Sequence, residues 1–177
     1  MSQSTTMPPT RALSARSSAA LVSSASTALL AACAGYSPGN IPNGASEADL
    51  RARMGEPTGR YALPNGGAQI EYARGPMGKH TYMVNVDAAG RMRGWEQVLT
   101  EPRFEAIAIA EPRDEVRQQL GRPSQTRVGW RGVGEVWSYR YESYFCRWFQ
   151  VWLVDGRVRE AAYATDPECD DRRREKE

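Results

Sequence analysis

The feature that most constrains this chain is that its second half restates its middle. Asp49, Leu50, Arg51, Met54, Gly55 and Pro57 recur as Glu115, Val116, Arg117, Leu120, Gly121 and Pro123, each pair 66 positions apart. Farther on, Ile70-Glu71-Tyr72 meets Trp137-Ser138-Tyr139 at an offset of 67, and Val84-Asn85-Val86-Asp87 meets Trp152-Leu153-Val154-Asp155 at 68. An offset that drifts by single residues is what small loop insertions produce in a tandem duplication, here of a unit of about 60 residues.

Each copy opens with a short helix. Ser46 is a natural N-cap, with Asp49 placed to complete a capping box. In the second copy Pro112 is expected at a first-turn position, followed by Asp114 and Glu115, acids suited to the positive end of a helix. Leu50/Met54 and Val116/Leu120 are spaced to share one helical face. Gly55 and Gly121 are expected to end the helices in the left-handed conformation, with Pro two residues on to prevent continuation.

Strands are expected over 60–63, 68–74, 80–86 and 92–99, and again over 125–130, 135–141, 145–154 and 157–163. Turn sequences such as Pro64-Asn65-Gly66-Gly67 and Asp155-Gly156 separate them. The expected fold is α+β: two tandem repeats, each a short helix followed by a three- to four-stranded antiparallel meander. The units are placed at 46–100 and 101–165. Phe104, Ile107 and Ile109 lie in the link between them, which is rich enough in apolar residues for a short packed turn or helix. The mixed-charge segment 166–177 reads as a disordered tail.

The first 32 residues have a different character. They hold Arg11 and Arg16, no acid, and an apolar stretch from about Ala19 that ends in small residues, the pattern of a signal peptide. Roughly 14 residues broken by serines fall short of a membrane span. Of the 23 Lys and Arg in the chain, these two account for the whole net charge of +2, and the remainder balances 21 bases against 21 acids. That balance weakens a nucleic-acid reading, which needs a basic patch. One histidine, His80, excludes a multi-histidine metal centre.

Leu30-Ala31-Ala32-Cys33 resembles a bacterial lipobox. The resemblance implies that Cys33 becomes the acylated first residue of a lipoprotein, joined to membrane lipid. Ala34, where an Asp would signal inner-membrane retention, implies the periplasmic face of the outer membrane. Residues 33–45 then read as lipid anchor and flexible linker, holding the domain off the lipid surface. With Cys33 set aside, Cys146 and Cys169 are an even pair that either forms a disulfide or remains as two thiols.

A lipobox, a short linker and then helix, Gly-x-Pro and meander resemble the SmpA/OmlA family of small outer-membrane lipoproteins. Phe104, Arg113-Asp114-Glu115-Val116, Leu120-Gly121-Arg122-Pro123 and Val136-Trp137-Ser138-Tyr139 carry the likeness. The family implies an accessory role beside the β-barrel assembly machinery and in envelope integrity. Its members typically hold one unit, and this chain has two. The doubled unit is also similar to the β-lactamase-inhibitor-protein architecture, which implies a concave aromatic face that binds an exported enzyme.

The aromatic density between Trp130 and Trp152 is either a filled core or a protein-binding patch, since Trp, Tyr and Arg dominate binding hot spots. Tyr144, Arg147 and Trp148 are the candidate partner-binding residues. Alternation places Phe145, Arg147, Phe149 and Val151 on one strand face and Cys146, Trp148, Gln150 and Trp152 on the other. Gly75-Pro76-Met77-Gly78-Lys79 lacks the spacing of a phosphate loop and reads as a hairpin turn. No nucleophile elbow surrounds any Ser or Cys, and the lone His80 has no partner motif. The expectation is therefore a non-catalytic protein with no cofactor, no metal and no nucleic acid, working through an envelope protein partner.

Overall fold

A computed structural model of the chain describes residues 36–169. The expected signal segment 1–32, Cys33 and residues 170–177 lie outside the described residues. Two four-stranded antiparallel meanders follow one another, each preceded by a short helix, so the chain is α+β in two successive units. Among the described residues, no helix is long and apolar enough to cross a membrane.

The first unit begins with α1 (Glu47–Met54), whose Ser46–Asp49 capping box is complete. The Ser46 N–H donates to Asp49 Oδ2 at 2.9 Å, and the Asp49 N–H donates to Ser46 Oγ at 3.2 Å. Strands β1 (Gly59–Ala62), β2 (Ala68–Ala73), β3 (Thr81–Val86) and β4 (Met92–Gln97) pair in chain order. Alternation sends Ala68, Ile70 and Tyr72 to the same face as Tyr82, Val84 and Val86, where Leu50 and Met54 of α1 close one hydrophobic core.

The link holds α2 (Glu101–Glu105), which drives Phe104 into a second core, with Ile107 buried behind it. Ile109, expected to pack with them, is exposed. Helix α3 (Arg113–Leu120) then contributes Val116 and Leu120. Strands β5 (Gln125–Val128), β6 (Glu135–Arg140), β7 (Arg147–Val154) and β8 (Arg157–Thr165) supply Trp137, Tyr139, Phe149, Val151, Leu153 and Val158 from the sheet face beneath these helices. Phe104 stacks on Phe149 with ring centroids 4.5 Å apart and meets Tyr141 edge-on at 5.1 Å.

The duplication persists in the contacts. The isolated bridges Ser46↔Arg91 and Pro112↔Arg157 are related by 66 at both ends. Thr58 Oγ1 accepts from the Ala73 N–H and Ser124 Oγ from the Arg140 N–H, both at 3.0 Å. Both third strands shift register, at Asn85/Val86 and at Trp152/Leu153. Val84 stands opposite Ile70 and Val151 opposite Trp137, so the third strands correspond at an offset of 67 instead of 68. A one-residue slip exchanges sheet faces, and Trp152 is thereby the counterpart of Asn85.

Four sequence expectations are corrected. Gly55 (φ 81°, ψ −165°) and Gly121 (φ 77°, ψ −160°) do not adopt the left-handed helical conformation. They occupy the extended positive-φ region that is essentially reserved for glycine. Pro112 is the N-cap of α3 and not a first-turn residue. The segment expected to be a flexible linker is packed from Tyr36 onward: Ile41 is buried, and Gly44 and Ala45 bond the Met92 backbone at 2.7 and 2.9 Å. The expected tail begins too early, because Asp166 is buried and Cys169 is disulfide-bonded.

Candidate functional site

The repeated unit has two sheet faces, and its own helix covers one of them. The other is used differently in the two copies. In the first unit it carries Glu71, Thr81 and Met83, and the end of α3 docks against it. The Glu71 carboxyl is completely buried. It accepts the Thr58 hydroxyl at 2.7 Å, the Tyr61 hydroxyl at 2.6 Å and the Arg122 backbone N–H at 3.0 Å. A Cβ at Gly121 would stand 2.8 Å from Thr81 Cγ2 and 3.0 Å from Glu71 Cδ. Glycine is thus required there by its φ and by close approach as well. Burial, reinforced by the bond to Glu71, pushes the Tyr61 phenol well above its ordinary range. Burial does the same to Tyr139, whose hydroxyl donates to the Gly121 carbonyl at 3.3 Å.

In the second unit the corresponding face runs over β5–β8. Strand pairing sets Arg127, Val136, Trp152 and Glu160 in one row, and Gln125, Ser138, Gln150 and Ala162 in the next. Ser138 is the counterpart of Glu71. It is buried and accepts the Gln150 amide at 2.9 Å. A cavity of about 550 Å³ opens over these rows, lined by Arg127, Val128, Trp130, Val136, Gln150 and Trp152 among others. Its rim is the loop from Gly129 to Gly134. There a Cβ on Gly129 would strike the Val133 carbonyl, and one on Gly134 the Leu153 carbonyl, each at 2.0 Å. The Trp152 indole N–H donates to the Val133 carbonyl at 2.9 Å and holds this loop. Val128 and Trp130 are each 71% exposed. The Arg131 guanidinium lies 5.5 Å from the Trp130 ring centre. Among the described residues, Arg127 and Arg131 form no ion pair.

The three candidate binding residues are not brought together. Tyr144 is fully exposed at the β6–β7 turn. Arg147 lies on the core face, over the Tyr163 ring at 4.8 Å and 3.4 Å from Glu101. Trp148 points the other way and is only 4% exposed, which corrects its expected role as an open anchor. The cause is Arg140, which stacks 5.5 Å from Trp148 and is pinned by Asp166 at 2.7 Å. Cys146 and Cys169 form a disulfide, Cα atoms 6.1 Å apart, which holds the segment after β8 across this end of the sheet. Cys33 lies outside the described residues.

Trp130, Trp152, Arg127 and Arg131 were missed by sequence reasoning. The signal was present: Gly129-Trp130-Arg131-Gly132-Val133-Gly134 places a Trp among three glycines, a loop pattern, yet Trp130 reads as the end of a strand. Among the described residues, no group of three His, Cys, Asp or Glu side chains is placed to hold a metal ion.

No protein-family model matches the chain, and no curated protein does. Two solved structures overlap it loosely. One is a candidate β-lactamase inhibitor protein from Streptococcus mutans, with 12% identity and a TM-score of 0.31 over 72% of this chain and 87% of that one. The other is an extracellular protein containing an SCP domain from Bacillus anthracis. It shows 18% identity and a TM-score of 0.24 over 74% of this chain, and the match spans 46% of that protein. Likeness at this level does not assign the chain to either fold.

Proposed function

We propose that the protein is an acylated lipoprotein of the bacterial outer membrane that works without catalysis, gripping an envelope protein on the open face of β5–β8. One observation carries the reading: the sheet face that the first unit closes with the end of α3 is left in the second unit as a groove with an exposed Trp at its rim. The groove suits a partner segment with an apolar side chain to pack on Trp152 and Val136 and an acidic neighbour for Arg127 or Arg131. The SmpA/OmlA resemblance points to the β-barrel assembly machinery as the partner; an exported enzyme held by an inhibitor-like module is the alternative.

The test is a photoreactive residue at Ala162, on the groove floor, in intact cells. A covalent adduct with a barrel-assembly subunit that disappears on Arg131→Glu supports the reading. An adduct with a soluble exported enzyme selects the alternative. Absence of any adduct, with the protein correctly folded, removes the groove as a binding face.

A further inference from the structure

We infer that one end of the domain, formed by the β2–β3 hairpin and the β6–β7 turn, lies directly on the lipid surface. The inference rests on the lipoprotein reading above and adds an orientation to it. Because the chain is packed from Tyr36 onward, only Ala34 and Gly35 separate Cys33 from the domain, a tether of three Cα-to-Cα steps. Fully extended, it spans at most about 11 Å. A domain held that closely cannot stand off the bilayer, so the surface around Tyr36 is pressed against it.

That surface is defined by contacts. The Tyr36 ring lies 6.3 Å from Tyr82, with the Arg74 guanidinium 4.3 Å from its centre. Tyr82 in turn stacks with His80 at 6.1 Å and meets Trp95 edge-on at 5.6 Å. Arg74 and His80 are the two sides of the β2–β3 hairpin, joined by the Arg74 N–H to the His80 carbonyl. The tip of that hairpin reaches the second unit. The Pro76 carbonyl accepts from Arg140 at 2.6 Å, and Lys79 stands 3.5 Å from Glu142. Arg140 and Glu142 lead into the β6–β7 turn. The hairpin therefore places Tyr36 and the β6–β7 turn at the same end of the molecule.

The side chains exposed at this end are those expected at a headgroup boundary. Met77 is more than half exposed, Phe145 is mostly exposed and Tyr144 is entirely so. The Arg147 guanidinium lies 5.3 Å from the Phe145 ring centre, and Lys79 stands two residues from Met77 on the hairpin tip; these cations face Glu101 and Glu142 respectively. Bulky side chains with an apolar body, bordered by cations, partition to the membrane interface. The turn is held firm, with the Phe145 N–H bonded to Ser143 Oγ at 3.3 Å and Cys146 in the disulfide. The Trp130 loop is at the other end of β6, some 20 Å away at about 3.3 Å per strand residue. The groove rim would then face away from the lipid.

The experiment uses the full acylated chain in vesicles of phosphatidylethanolamine and phosphatidylglycerol, with a photoreactive residue at Tyr144 or, separately, at Trp130. Lipid adducts are read by intact mass. Adducts are expected from position 144 and not from 130, with a several-fold loss at 144 when a long Gly/Ser segment is inserted between Ala34 and Gly35. Lipid adducts from 130 in place of 144, or from neither, on a chain whose mass shows acylation overturn the orientation alone. A mature chain without acyl mass removes the anchored reading and the orientation with it.

Discussion

The Glu71 face of β2 and β3 and the Ser138 face of β6 and β7 are the same surface of a repeated unit, with opposite fates. On the first, a buried carboxyl gathers three donors, and Gly121 comes close enough that any side chain on it would clash. On the second, the same strand position holds a small hydroxyl and its neighbours open into a groove. Duplication supplied two equivalent surfaces. Divergence made one of them a fixed joint between the units and left the other open.

Substitutions can break this contrast. The largest effect is expected from Trp148→Ala, a buried ring worth about 4 kcal/mol, against a change near zero for Trp130→Ala on the rim. Denaturant midpoints of the two variants give the comparison, and equal losses would mean that the rim is structural. Glu71→Ala strands three donors at the joint and is expected to cost roughly 3 kcal/mol. Ser138→Ala, which releases a single amide, is expected to cost about 1 kcal/mol. Next come the two helix-ending glycines. A Cβ at Gly55 meets nothing within 4 Å, so Gly55→Ala carries only backbone strain, about 1–2 kcal/mol. Gly121→Ala adds the clash with Thr81 and Glu71 and should exceed it by about 1–2 kcal/mol.

The smallest effect is expected from acid. Hydrogen bonds from the Ser46 side chain and backbone hold the Asp49 carboxyl below its ordinary range. A lowered folded value means that stability is present above the ordinary carboxylate range and is lost as pH falls through the folded value. Helix α3 has no side-chain cap at Pro112. Amide exchange in the first turn of α1 should therefore speed up below about pH 4 while that of α3 does not.

Most of the fold was legible in the sequence, because local chemistry dictates it. The capping box at Ser46, the Gly-x-Pro helix stops and the period-2 strands each act over a few residues, and every strand stands within about two residues of its expected place. The site was not legible for the same reason. Trp148 and Trp152 sit on one strand face with the same alternation, and what separates them is distant: Arg140, pinned by Asp166, covers one, while the other bonds the Gly129–Gly134 loop. Likewise, the segment before Ser46 has the composition of a linker, but Ile41 finds a core contributed by strands up to 51 residues away at Met92. Glu71 gave no sign of burial, since Thr58 and Tyr61 reach it across the β1–β2 pairing and Arg122 closes over it from the second unit.

The most direct test is photocrosslinking in intact cells from Ala162, on the open face, compared with Gln118, a half-buried position on α3 outside the groove. One discrete protein adduct is expected from Ala162, lost when Trp152→Ala frees the Val133 loop, and none from Gln118. Equal capture from both positions, or capture from Ala162 that survives Trp152→Ala, would contradict it.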